Sequence, residues 1–168
     1  VIDMNFYPTE ETKRSNLKHR PIGLGIQGLA DTLVKMRLPF DSEESIKLNS
    51  DIMETIYFAS MTASNDMSKE RCDDMKKLVE SKIAFPEFYE KEFKIDDIEI
   101  LRIYNKLKPN IYEINREISD RIGSYSSFEG SPTSEGIFQF DMWNYDSREL
   151  KYNWTSLKKE VIKYGIRN

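Results

Sequence analysis

Cysteine and histidine occur once each in 168 residues, as Cys72 and His19. A lone cysteine rules out an internal disulfide and a thiolate metal set. A lone histidine argues against a histidine-based triad and against a di-metal site built from paired Glu-x-x-His helices. No apolar run approaches the roughly 20 residues that span a bilayer, and Val1-Ile2-Asp3-Met4 has no signal-peptide architecture, so the expected compartment is the cytoplasm and no membrane partner is expected. Long basic runs are missing too: 25 basic residues face 29 acidic ones for a net charge of -4. Nucleic acid is therefore not expected as a partner. What is present is core material, with 39% hydrophobic residues, nine Phe and nine Tyr. That is enough for one globular domain.

The chain changes style several times. Val1 to Arg20 reads as a helix end followed by a loop, with Glu10-Glu11-Thr12-Lys13-Arg14 as solvated surface. Pro21-Ile22-Gly23-Leu24-Gly25-Ile26-Gln27-Gly28 predicts a buried strand over about 20–28, its glycines admitting another backbone. Leu29, Ala30, Leu33 and Val34 then predict a helix over about 29–38. Asp41 and Glu44 form a capping box for a longer helix over about 42–70 whose buried face is Leu48, Ile52, Ile56, Ala59, Ala63 and Met67. From 71 to 122 short helical patterns follow at Met75, Leu78 and Val79, at Ile100, Leu101 and Tyr104, and at Ile111, Ile114 and Ile118, with Pro109 opening the last helix. Residues 123–132 form a turn-rich loop, and the aromatic run from Gly136 to Trp143 buries one side. Trp154, Leu157, Val161 and Ile162 share a face of a final helix, closed by Gly165 in a left-handed cap. Ile166-Arg167-Asn168 reads as the start of a strand, cut short.

Several patterns invite a sharper chemistry. Gly23-Leu24-Gly25-Ile26-Gln27-Gly28 is a literal Gly-x-Gly-x-x-Gly. Its glycines lie inside the predicted strand, however, Lys18-His19-Arg20-Pro21 stands where a hydrophobic first strand should be, and the downstream ribose-binding acid would fall within a helix. Close packing of backbone is the preferred reading over dinucleotide binding. Cys72, beside Asp73 and Asp74, reads as an exposed or half-buried thiol without redox duty, since neighbouring acids raise a thiol pKa. His19, beside Lys18 and Arg20, reads as a surface residue and not a phosphate contact. The adjacent acids Glu10/Glu11, Glu43/Glu44 and Asp73/Asp74 do not face each other on a helix, so they read as solvated surface and not as metal ligands. Phe138, Phe140, Trp143 and Tyr145 lack interleaved basic residues and read as core, not as a stacking platform for bases.

Four motifs in order carry a family resemblance. They are His19-Arg20-Pro21-Ile22-Gly23-Leu24-Gly25-Ile26-Gln27-Gly28-Leu29-Ala30-Asp31; Phe128-Glu129-Gly130-Ser131-Pro132; Gly136-Ile137-Phe138-Gln139-Phe140-Asp141-Met142-Trp143-Asn144; and Tyr164-Gly165-Ile166-Arg167-Asn168. The chain resembles class I ribonucleotide reductase large subunits, in the form found in eukaryotes and their viruses. The resemblance implies an α/β fold: this mostly helical segment is a partial piece of a ten-stranded α/β barrel with a helical insertion. Barrel segments would occupy 1–70 and 123–168, and the insertion 71–122, which has no recognised counterpart in typical members. The family reduces ribonucleoside diphosphates by thiyl-radical chemistry from a finger-loop Asn-x-Cys-x-Glu, with a second cysteine pair as reductant.

None of those cysteines is here. The finger loop would precede Val1 and the substrate-phosphate loop would follow Asn168, so the resemblance implies no catalytic, substrate-binding, cofactor-binding or metal residue in this segment. The expected partners are the remainder of the large subunit, a second large subunit, a metal-containing small subunit that supplies the radical, the diphosphate substrate, and ATP or dNTP effectors. Alone, the segment would leave strand edges unpaired and be unstable. The insertion reads as a tolerated surface excursion, with partner or subunit docking as its alternative. Two rival readings of the whole chain remain: a class II, cobalamin-dependent reductase fragment, disfavoured by Glu129-Gly130-Ser131-Pro132 and Phe140-Asp141-Met142-Trp143, and a non-enzymatic helical interaction module built on 71–122.

Overall fold

The computed structural model describes residues 1–81, 98–107, 119–143 and 150–168. Five α-helices are present among them: α1 (Glu10–His19), α2 (Leu29–Met36), α3 (Glu43–Glu80), α4 (Ile98–Leu107) and α5 (Trp154–Tyr164), with 3-10 turns at Pro132–Glu135 and Gln139–Trp143. The start of each early helix follows from local chemistry. Thr9 and Thr12 cap α1 reciprocally, each side-chain oxygen accepting from the other's backbone N–H at 3.3 Å. The charged stretch from Glu10 thus opens a helix instead of trailing one, with Glu10 and Glu11 at the positive end of its dipole. Helix α3 is capped by Ser42, whose hydroxyl accepts from Ser45 N at 3.2 Å, one residue beyond the expected Asp41.

Two expectations for α3 are corrected. The helix does not stop near residue 70 but runs on to Glu80, because Cys72, Met75 and Leu78 continue an inward stripe. The inward face is also not the expected one. Buried positions include Glu54, Met61, Asn65, Ser68, Cys72 and Met75, whereas Ala59, Ala63 and Met67 are exposed. The two sets differ by about two residues, which at 3.6 residues per turn is close to the opposite side. An apolar-only search cannot find this stripe, because Ser, Asn and Glu fill half of it.

Two cores lie along that stripe. The first gathers Met61, Phe128, Phe138, Trp154, Leu157, Val161 and Ile166, flanked by Tyr57, Phe58, Phe140 and Tyr152. Phe138 and one face of α5 turn inward as expected, with Phe140 packed against them, whereas Trp143, expected in the core, is 57% exposed because the Gln139–Trp143 turn carries it outward, and Ile162 lies at the edge of the α5 face, 38% exposed. The second gathers Cys72, Met75, Leu78, Ile103, Leu107 and Ile122. Cys72 is therefore a core residue, 1% exposed, contrary to the expected surface or half-buried position.

The predicted strand over 20–28 is not formed. Residues 21–28 form no regular element and are exposed, with Ile22, Leu24 and Ile26 between 45% and 62% open to solvent and Gly28 left-handed at φ 84° where it caps α2. Strands need neighbours for their N–H and C=O groups, and no β-ladder occurs among the described residues. A side chain added at Gly23, Gly25 or Gly28 would meet open space, so the close backbone packing expected of these glycines is not present either. Ile166-Arg167-Asn168 likewise forms no ladder. Gly165 closes α5 with positive φ as expected, but at φ 74° and ψ -170° it lies outside the left-handed helical region, in backbone space open to glycine almost alone. The expected helix from Pro109 through Ile111, Ile114 and Ile118, and the place of Tyr145, lie outside the described residues.

Candidate functional site: a buried carboxylate and an apolar groove

The most distinctive polar group of the body sits where α3 meets the start of α5. Glu54 is 6% exposed. Its Oε1 accepts from Lys151 N at 2.7 Å, Tyr152 N at 3.3 Å and Trp154 Nε1 at 3.0 Å. Burying a carboxylate is tolerable only when such donors replace water. Aromatic rings close around it: Tyr152 stacks on Phe58 with centroids 4.6 Å apart, and Trp154 meets Phe58 and Phe140 edge-on at 5.1 and 4.7 Å. Since one carboxylate oxygen already holds three N–H groups, Glu54 acts as a fastener for residues 151–154.

A second fastening lies two to four turns along α3. Ser64 Oγ donates to Asn168 O at 2.9 Å and accepts from Arg167 N and Asn168 N at 3.0 and 2.9 Å. Asn65 Nδ2 donates to Gly165 O at 2.8 Å, and Ser68 Oγ to Tyr164 O at 2.7 Å. These side chains satisfy carbonyls at the C-terminus of α5, which its own helix leaves orphaned. The residues that fasten the body were missed in the sequence. A glutamate, an asparagine and serines interrupting a helical apolar period were the available signal.

Between α3 and residues 21–28 lies a groove of about 570 Å³, walled by Ile22, Leu24, Met53, Ile56, Tyr57 and Phe140 among others. Of the apolar face expected to be core, Ile56 lines this groove. Tyr57 hydroxyl accepts from Gln139 N at 3.3 Å at its edge, and burial pushes the phenol's pKa up.

The residues singled out for sharper chemistry are scattered. His19 is exposed, with Nδ1 2.6 Å from Ser127 Oγ. Arg20 beside it is buried, donates to both carboxylate oxygens of Asp3 at 2.8 Å, and reaches Asn168 Oδ1 at 3.1 Å. Glu10/Glu11 and Glu43/Glu44 lie in helix first turns, and Asp74 pairs with Lys106 at 2.7 Å. The Cys72 thiol is held above its ordinary pKa by burial, partly countered by Lys76. Among the described residues no three His, Cys, Asp or Glu side chains converge as a metal set, and no helix is long and apolar enough to cross a membrane.

Comparison with known proteins gives this body its context. The family model described as "Ribonucleotide reductase, barrel domain" matches residues 1–168. The chain is 40% identical over 169 positions to the ribonucleoside-diphosphate reductase large subunit of Dictyostelium discoideum, covering 100% of this chain and 13% of that protein. It is 39% identical to the ribonucleoside-diphosphate reductase large chain 2 of Saccharomyces cerevisiae, again over 100% and 13%. With the ribonucleoside-diphosphate reductase large subunit of Acanthamoeba polyphaga mimivirus it shares 33% identity over 100% and 14%. The chain therefore spans a small fraction of these relatives' length, and it belongs to the ribonucleotide reductase family, within the barrel domain.

Proposed function

We propose that this chain is a structural stretch of the catalytic barrel of a large subunit that reduces ribonucleoside diphosphates to deoxyribonucleotides by thiyl-radical chemistry. The observation that carries the reading is the end-to-end family match, residues 1–168, on a chain whose only cysteine is a core residue. Its part is architecture. Residues 20–28 become one of ten barrel strands once neighbouring segments supply hydrogen-bond partners, and the exposed Ile22, Leu24 and Ile26 support that role. Residues 1–70 and 123–168 belong to the barrel body, and 71–122 is an insertion carried by the end of α3. No catalytic, substrate, cofactor or metal ligand is assigned to the segment. The radical comes from a metal-containing small subunit, ATP and dNTP effectors act on the whole enzyme, and two large subunits pair in the cytoplasm.

A segment exchange tests this. The matched span of the yeast large chain is replaced by residues 1–168, and reduction of CDP is measured with the yeast small subunit and a thiol reductant. Activity within about tenfold of the parent is expected, a loss of no more than about 1.4 kcal/mol in transition-state stabilisation. A folded chimera that binds effector nucleotide yet forms no deoxycytidine diphosphate would sink the proposal.

A further inference from the structure

The chain leaves the body along α3 and comes back to the place it left. A Cβ built on Gly123 would stand 1.9 Å from Ser68 O and 2.8 Å from Cys72 N, so the returning backbone lies directly on the α3 turn from which the outgoing chain departs. Outgoing and returning chains also touch through side chains. Cys72 Sγ contacts Ser119 O at 3.7 Å, and Lys76 Nζ pairs with Asp120 Oδ1 at 2.7 Å. Just past this neck, Arg121 is bound to the body. Its guanidinium donates to Ile162 O at 2.6 Å, Glu129 Oε2 at 2.9 Å and Ser134 O at 3.4 Å, and it lies over the Phe128 ring.

Beyond the neck the excursion has its own interior. Met75, Leu78, Ile103 and Leu107 pack with the neck residues Cys72 and Ile122, while among the described residues no member of the aromatic core comes from 73–120. Lys106 reaches back to Glu70 and Asp74 at 2.6 and 2.7 Å, and Lys77 reaches Glu99 at 3.1 Å, which ties α4 to the end of α3.

We infer that the barrel body does not need residues 73–120 for its fold or for the reaction, because their two ends meet at the neck and their described parts share a core of their own. The physical argument is loop closure. An excursion whose ends already meet costs the body only the entropy of joining those ends, and a short bridge costs less than a long one. A bridge of three residues spans roughly 10 Å, ample for ends in contact. Only the activity half of the inference rests on the reductase reading above.

The test uses the full-length large subunit that carries this chain. In the first variant three glycines replace residues 73–120, with Ile122→Ser to avoid baring an apolar side chain. In the second the chain is intact and Leu78→Asp empties the excursion's core. The readouts are hydrogen exchange of the α5 amides and deoxynucleotide formation. For Leu78→Asp, proteolysis within 73–120 should rise about tenfold or more while α5 exchange and activity stay within about twofold of the parent. The glycine-bridged variant should match the parent on both readouts. Tenfold faster α5 exchange in Leu78→Asp overturns the inference, and it decides the matter should the bridged variant not fold. Lost activity with α5 protection intact overturns the claim that the reaction does not need the excursion. Should the parent itself make no deoxynucleotide, the proposed function fails, and α5 exchange still judges the fold half alone.

Discussion

The two cores along α3 hold their parts together by different physics. Around Glu54 and Trp154 the aromatic core combines ring edges, a stacked pair and directional hydrogen bonds, so each element has one seating. Around Leu78 the second core is aliphatic and sulfur-containing, held by burial and rimmed by exposed ion pairs. Burial without direction tolerates volume-conserving exchange; a bonded aromatic cage does not. The difference suits a body that must keep fixed strand positions and an excursion that need only stay folded.

Breaking the cage should have the largest effect. Trp154→Ala removes the ring and strands Glu54 without its side-chain donor, and a loss of about 3–5 kcal/mol is expected, read as faster exchange of the α5 amides. Gly165→Ala comes next, at about 2–4 kcal/mol. It forces a side chain into positive φ and places a Cβ 2.5 Å from Ser124 Cβ and 3.2 Å from Phe128. On the other side of the comparison, Leu78→Met should cost below about 1.5 kcal/mol, with the change confined to residues 72–122; an equal effect on α5 would erase the distinction between the cores.

Smaller effects come from titration. Burial raises the Cys72 pKa, so the folded state should lose stability as pH climbs from the ordinary thiol value toward the raised one, and alkylation of Cys72 at neutral pH should await opening of the excursion. Mass-spectrometric labelling against pH checks both. Asp120 shifts the other way, because its hydrogen bond from Lys76 lowers its pKa. The stability this gives the neck is present above the ordinary carboxylate value and is lost as pH falls through the lowered one. Asp120→Asn should remove that acid-side loosening and change little else, since the pair is exposed.

Much of the body was legible in the sequence because its signals are local or apolar. The inward turn of Phe138 and Phe140 and the face of α5 with Gly165 at its end are such cases. The start of α3 was off by one residue because Asp41 and Ser42 are both good caps and only the folded geometry picks one. The buried face of α3 was misplaced for a deeper reason. Glu54, Ser64, Asn65 and Ser68 are inward because their partners lie about a hundred residues on, and a periodicity search sees no such partner. The strand over 20–28 failed for the complementary reason, since its apolar alternation is real but the pairing that would express it is not among the described residues. Glu54 was invisible as a site residue because a single acid in a helix full of acids carries no signal until Trp154 is placed beside it.

The polar character of that stripe matters before the protein is finished. Glu54 waits for Lys151, Tyr152 and Trp154 across 97 to 100 residues of chain, and Ser64 for Arg167 and Asn168 across 103 and 104. At about 5–20 residues per second, a ribosome delivers those partners roughly five to twenty seconds after α3 has emerged. A helix striped with leucine would spend that interval as a sticky surface for neighbouring nascent chains. A stripe half filled by serine, asparagine and glutamate spends it better hydrated, and those groups give up their water only when residues 151–168 bring the partners that replace it.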